Sequence, residues 1–203
     1  MCGIIGYTGK DPAAPILYGA LTRLEYRGYD SAGIATIDDG RIHLVKEKGQ
    51  LGDIAPQCNE TMLPGKIGIG HVRWATHGGA TRENAHPHCD SQQKIAVVHN
   101  GIIANYEELK SQLLTQYTFR SETDTEVIPH LIRHHMDAGR SFEDAFFAMT
   151  QELTGSYAIS PLLPQNRTRS WRQEEMRRWS LALGRMRISL GVMSYRFYRT
   201  PTG

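Results

Sequence analysis

Residues 33–49 read GIATIDDGRIHLVKEKG. Apolar and polar residues alternate on both sides of Asp39-Gly40, a dipeptide that favours tight hairpin turns, so the stretch predicts two antiparallel strands. Working back toward the start, CGIIGYTG (2–9) is a short apolar run between glycines and predicts another strand. Ile16, Leu17, Leu21 and Leu24 fall at helical spacing and predict an amphipathic helix over 14–26. RGYDSAG (27–33) reads as a polar loop. Working forward, KIGIGHVRWATHGG (66–79) predicts a strand that runs into a glycine-rich loop, and KIAVVHNGII (94–103) an apolar strand broken at Asn100-Gly101, a turn pair. A helix is expected over 105–116, with Tyr106, Leu109, Leu113 and Leu114 on one side. SETDTEV (121–127) starts the next helix, with Thr123 and Glu126 at capping-box spacing, and Pro129 is expected to bend it or remove a hydrogen bond. A further helix over 141–153, capped by Ser141, precedes a strand at GSYAIS (155–160). Hairpins with helices collected between them predict an α+β fold rather than alternating βαβ units.

The chain has 203 residues, 40% hydrophobic and 22% charged, as expected of an ordinary globular protein. It has no run of about 18 apolar residues to span a membrane, and its first residues lack the pattern of a secretory signal. A cytoplasmic location is the expectation. Three cysteines, Cys2, Cys58 and Cys89, are too few and too scattered for a disulfide framework.

The net charge of +2 conceals two unlike segments. Residues 1–163 carry 14 basic and 19 acidic side chains, a net charge of −5. Residues 164–203 carry nine arginines, no lysine and two acids, a net charge of +7. The change is abrupt and suggests a boundary near residue 163.

Cys2 is the first candidate for chemistry. Once Met1 is removed, one residue offers a thiol and a free α-amine, and an α-amine with a pKa of roughly 7.7–8.0 can serve as the base for its own nucleophile. Arg73, in a glycine-flanked loop, suits bidentate capture of a carboxylate, though a surface salt bridge is the plainer reading. Asp124 could hold an ammonium group or simply cap a helix. Asn100-Gly101 could supply a side-chain amide and a backbone N–H to an oxyanion, or form an ordinary turn.

Taken together, MCGIIGY, LEYRGYDSAG, GHVRWATHG, NAHPH, VVHNGII and SETDTEV resemble the amino-terminal glutaminase domain of the glutamine–fructose-6-phosphate aminotransferases (isomerizing), over residues 1 to about 160. The resemblance implies an N-terminal-nucleophile hydrolase fold, with antiparallel sheets sandwiched between helix layers (αββα) and incomplete at its C-terminal end. It implies that Cys2 attacks the side-chain amide of L-glutamine, with Asn100 and Gly101 as the oxyanion hole. Arg73 would clamp the substrate α-carboxylate and Asp124 its α-ammonium. Thr76 and His77 would belong to a loop over the bound glutamine, Trp74 would gate the site, Arg27 would orient the nucleophile region, and His86 lies in a shared motif. No cofactor is implied. Fructose 6-phosphate and homo-oligomer formation belong to the intact family protein, whose sugar-isomerase domains are not expected in this chain.

The resemblance stops near the charge boundary. The reading there is a partial glutaminase domain over 1–163, followed by an arginine-rich tail over 164–203 that is unlike the family, poorly ordered and most simply explained by a frameshift. Weak or absent activity of this polypeptide is the corresponding expectation. The alternatives are another amidotransferase or N-terminal-nucleophile amidohydrolase, or a non-catalytic chain whose basic tail binds nucleic acid or a membrane; neither partner is expected under the leading reading. His86, His88 and Cys89, with His71, His77 and His99 near them in sequence, could suggest zinc, but no metal is expected because the resemblance accounts for the region without one. His134 and His135 are expected at the surface, and Cys58 and Cys89 are expected to be inert.

Overall fold

The computed structural model describes residues 2–164 and the backbone of residues 195–198. Eight strands form two four-stranded sheets. The first contains β1 (Gly3–Thr8), β2 (Ser31–Asp38), β3 (Arg41–Lys48) and β4 (Ile67–Arg73), in the order β1-β4-β2-β3. The second contains β5 (His88–Cys89), β6 (Ala96–Ile103), β7 (Gly155–Leu162) and β8 (Tyr195–Tyr198), in that order. Every pairing is antiparallel. Four α-helices, α1 (Ala13–Thr22), α2 (Tyr106–Leu113), α3 (Val127–Asp137) and α4 (Phe142–Glu152), complete the described fold.

Period-two alternation divides the core into three layers. Ala32, Ile34 and Val72 turn outward from the first sheet and pack with Leu17 and Leu21 of α1. Ala35 and Ile69 turn inward and meet Ala96, Val98 and Leu162 of the second sheet. Val97, Ile103, Tyr157 and Ile159 turn to the far side, against Leu109, Leu113, Ile128, Ile132, Phe146 and Met149 of α2, α3 and α4. Helix, sheet, sheet and helices therefore stack as αββα, because each central sheet is apolar on both faces. This is the four-layer sandwich that the family resemblance implies, and it fits the α+β class read from the residues.

Most of the expected elements form. The β2–β3 hairpin turns at Asp39 (φ 45°) and Gly40 (φ 69°), and Ser141 caps α4 by accepting the Asp144 N–H. Four local expectations need correction. The first helix ends at Thr22, and a separate 3₁₀ turn covers Glu25–Arg27. Asn100-Gly101 does not break β6, since Asn100 pairs with Ala158 and Gly101 with Tyr157 on β7. Glycine is needed there by close approach instead: φ is 135°, and a Cβ would lie 2.1 Å from the Ser156 carbonyl oxygen. Thr123 and Glu126 form no capping box. Glu126 turns back to accept the Arg120 and Ser121 N–H groups, and a 3₁₀ turn at Asp124–Glu126 leads into α3. Pro129 sits in the first turn of α3, where backbone N–H groups have no helical partner, so no bond is lost.

The expected character of the tail concerns residues that lie, apart from the backbone of β8, outside the described ones. The backbone of 195–198 pairs with 156–159 of β7.

Candidate functional site

Along β4, residues 67, 69, 71 and 73 share the face that looks between the sheets, and along β6 so do 96, 98 and 100. Ile69, Ala96 and Val98 make that layer apolar at one end. His71, Arg73 and Asn100 make it polar at the other. Cys2, on the inner-facing register of β1, joins this polar end.

The thiol of Cys2 is partly exposed and sits against the backbone of the residue that follows β4: Trp74 N–H donates to Sγ at 3.2 Å, and the Trp74 carbonyl lies 3.5 Å from Sγ. The Cys2 carbonyl accepts Arg27 Nε at 3.1 Å and Asn100 Nδ2 at 3.2 Å. Three segments distant in sequence thus converge on one residue. Gly28 makes the convergence possible, since a Cβ there would lie 2.6 Å from the Arg73 carbonyl carbon and 2.7 Å from the Trp74 nitrogen. Asp30 fastens the same peptide by donating its N–H to the Arg73 carbonyl and accepting the Ala75 N–H at 2.8 Å.

Arg73 is buried and folds its own loop around itself. Its guanidinium donates to the carbonyls of His77, Gly78 and Gly79. Burial lowers its pKa, while the charges of Cys2, Asp124 and Asp30 oppose the shift. Asp124 is buried, and its carboxylate accepts the Ile103 N–H at 2.8 Å.

The remaining expected residues take varied positions. Trp74 is 44% exposed and meets Tyr29 edge-on at 5.5 Å. Thr76 is exposed. His77 contributes its carbonyl to Arg73, and its ring lies 5.8 Å from that of Tyr106. Gly101 is exposed beside Asn100 on β6. His86 is not at the thiol but in a buried histidine stack behind Asn100.

That stack was legible in the sequence only as a loose group of histidines. His86 lies 4.2 Å from His71, 4.8 Å from His88 and 6.5 Å from His99, ring to ring. Burial pushes His71 down to about 3 and His99 to about 4, and holds His86 and His88 well below the ordinary histidine value. The rings are tied by hydrogen bonds: His71 Nε2 to Asn100 Oδ1 at 2.8 Å, His99 Nδ1 to Thr125 Oγ1 at 2.8 Å, and His88 Nε2 to Thr123 Oγ1 at 3.1 Å. Lys46 holds the segment beneath by donating to the carbonyls of Glu83, Ala85 and Pro87. Among the described residues no group of three or more His, Cys, Asp or Glu side chains is arranged to hold a metal ion.

Two smaller expectations also meet the structure here. His135 is not at the surface: it is buried and sits 2.6 Å from Glu152. Burial pushes the Cys58 and Cys89 thiols up to about 11, which keeps them protonated and unreactive at neutral pH.

Among the described residues no helix is long and apolar enough to cross a membrane. Residues 71–181 match the family model described as glutamine amidotransferase domain. The chain is 54% identical over 160 residues to a Pyrococcus horikoshii protein named glutamine–fructose-6-phosphate aminotransferase [isomerizing], covering 78% of this chain and 27% of that protein. Proteins of the same name are 50% identical in Clostridium perfringens (78% of this chain, 26% of theirs) and 53% identical in Methanothermobacter thermautotrophicus (79% and 27%). The chain therefore spans about a quarter of the length of the curated relatives it matches. Among solved structures, a glutamine phosphoribosylpyrophosphate amidotransferase from B. subtilis superposes with a TM-score of 0.69 at 29% identity, over 81% of this chain and 35% of that one. A structure described as the allosteric regulatory enzyme of purine biosynthesis does so with a TM-score of 0.70 at 32% identity, over 80% and 35%. The αββα layers and the family-model match lead to one assignment: the chain belongs to the glutamine amidotransferase domain family.

Proposed function

We propose that this domain is a glutaminase whose nucleophile is Cys2. The supporting observation is the convergence on one residue: the Cys2 thiol rests on the Trp74 amide beside Arg73, while Asn100 and Arg27 hold its carbonyl. With Met1 removed, the Cys2 amine takes the thiol proton, and sulfur attacks the side-chain amide carbon of glutamine. Asn100 Nδ2 and the Gly101 N–H face the oxygen as it gains charge. The carbon–nitrogen bond breaks, the amine proton passes to the leaving nitrogen, and ammonia departs to leave a thioester. Water then hydrolyses the thioester to glutamate and restores the thiol.

Arg73 and Asp124 select the substrate under this reading. Arg73 lies within electrostatic reach of both Cys2 and Asp124, so one free amino acid can meet a cation at its carboxylate and an anion at its ammonium. A glutamine inside a peptide lacks both charges and leaves Arg73 and Asp124 without the opposite charges a free amino acid brings. Trp74, Thr76 and His77 form the rim that would cover the bound amino acid, and Arg27 positions the nucleophile. In a protein of the relatives' length, the ammonia would pass to fructose 6-phosphate.

The test is mass spectrometry of the purified chain after exposure to a glutamine-mimicking electrophile. A single adduct on Cys2 of a Met-less chain, blocked by free L-glutamine, is the expected result. Labelling spread over Cys58 and Cys89, or unaffected by glutamine, would reject the assignment.

A further inference from the structure

We propose that His71 is a positioning residue: with its ring proton on Nε2, it locks the Asn100 carboxamide so that the NH₂ group faces Cys2. The catalytic consequence rests on the glutaminase reading, whereas the ring tautomer stands independently of it.

The argument is a chain of donors and acceptors. The Cys2 carbonyl oxygen can only accept, so the Asn100 atom 3.2 Å from it is the NH₂ nitrogen. Oδ1 of the same amide therefore faces His71 Nε2 at 2.8 Å, and an oxygen acceptor requires that nitrogen to carry the proton. Nδ1 of His71 has no partner at hydrogen-bond geometry, although the His99 main chain lies close enough to favour a proton on the ring. The reverse tautomer would turn an Nδ1 proton toward the His99 main chain, but it would also set Asn100 Oδ1 against the Cys2 carbonyl, two acceptors in contact. Taking both protons would place a cation in a fully buried site stacked on His86, and desolvation opposes that. One arrangement sets no two acceptors and no two donors against each other.

The backbone makes this arrangement stiff. The His71 backbone is paired on both sides, to Ile4 of β1 and Gly33 of β2, and its fully buried ring is stacked on His86 at 4.2 Å, so the ring has little room to follow a rotating amide. The two ends of a carboxamide are nearly equal in size, and only hydrogen bonding decides which end points where. A flipped Asn100 would present oxygen to the oxyanion that forms at the thioester-forming step, and repulsion would replace stabilisation.

Two measurements test the proposal on the full chain. Nitrogen-15 NMR of the histidine rings, without glutamine and at neutral pH, reads the tautomer directly, with His71 assigned by its loss in His71→Gln. A protonated Nε2 beside a bare Nδ1 is expected; the Nδ1–H tautomer or an imidazolium would overturn the proposal whether or not the chain hydrolyses glutamine. The second measurement is ammonia release by His71→Leu and His71→Gln. His71→Leu should lower kcat about 10²-fold, as loss of an oxyanion donor does. Its KM should change by less than about threefold, the pattern of an interaction made in the transition state. His71→Gln keeps an N–H donor at the Nε2 position and should recover at least about tenfold of that loss. Equal kcat in the two variants, or a change confined to KM, would overturn the positioning role. A wild-type chain that releases no ammonia accords with a partial domain; labelling of Cys2 then tests the glutaminase reading, and the NMR result still decides the tautomer.

Discussion

The backbone N–H of Trp74 donates to the sulfur of Cys2 at 3.2 Å, across 72 residues of sequence. Two antiparallel strand ends create this contact. Gly3 pairs with Val72, so Cys2 and the residues after Arg73 leave the same edge of the sheet together. The nucleophile is thus held by main chain, which a side-chain substitution at Trp74 does not remove.

Cys2→Ala should abolish glutamine hydrolysis, with kcat falling by at least about 10³-fold, because no other described group takes over covalent chemistry. Coupled detection of glutamate measures it. The thermal midpoint should move little, since Cys2 is only partly buried and its Sγ contacts are weak. Residual turnover within tenfold of wild type would remove Cys2 from the mechanism.

Arg73→Lys should lower kcat/KM for L-glutamine by about 10- to 150-fold, the equivalent of one or two charged hydrogen bonds worth roughly 1.5–3 kcal/mol. Lysine keeps the charge but not the planar fork that reaches a carboxylate while also serving the carbonyls of Gly78 and Gly79. The discrimination against glutamine amide, which lacks the carboxylate, should shrink in the same variant. Steady-state kinetics on both substrates checks this.

Gly28→Ala should damage both stability and activity. The added methyl meets the Arg73–Trp74 backbone at 2.6 Å, and backbone cannot move aside as a side-chain tip can. A destabilisation of about 1–3 kcal/mol is expected from overpacking, with a larger proportional loss of thiol labelling because the displaced peptide is the one that holds Sγ. Gly19→Ala serves as the control: nothing lies within 4 Å of its Cβ on α1, and a helical glycine replaced by alanine should be neutral or stabilising by up to about 1 kcal/mol.

Stability should fall in mild acid. His71, His86, His88 and His99 have folded-state pKa values below the unfolded value near 6.5, burial being the main cause in each. The unfolded chain therefore takes up protons first as pH drops through 6.5, and each histidine subtracts up to about 1.4 kcal/mol per pH unit below that point. Glu126 adds a second, lower window. Burial alone would raise its carboxyl, but His130, Ser121 and the Arg120 backbone together hold it down at about 2, so its contribution is present above about 4.5 and is lost toward 2. Urea midpoints should be level between pH 7 and 8 and should decline from pH 6.5 to 5. A flat profile across that range would show that the histidines are protonated in the folded state.

Much of the molecule could be read from local sequence. Alternation in GIATID and RIHLVK, the Asp39-Gly40 turn and the Ser141 cap each act over a few residues, and each appears where expected. Cys2, Arg73 and Asp124 are each weak candidates alone, and only the resemblance carried by the surrounding motifs singles them out. The errors share one physical cause. Asn100-Gly101 has the local chemistry of a turn, yet the ladder to β7 overrides it. Glu126 has capping-box spacing, yet the Arg120 and Ser121 N–H groups offer it a better set of donors. His135 lies next to His134, yet α4 brings Glu152 to cover it.

From the order of residues alone came the α+β class, the hairpins and the types of groups able to do chemistry, since these depend on side-chain character and short-range backbone preference. Tertiary structure alone decided that Gly28 must be small, that Asn100 joins Cys2 to His71, and that four histidines share one buried cluster. Those facts depend on distances between strands far apart in the chain, and no local preference encodes such distances.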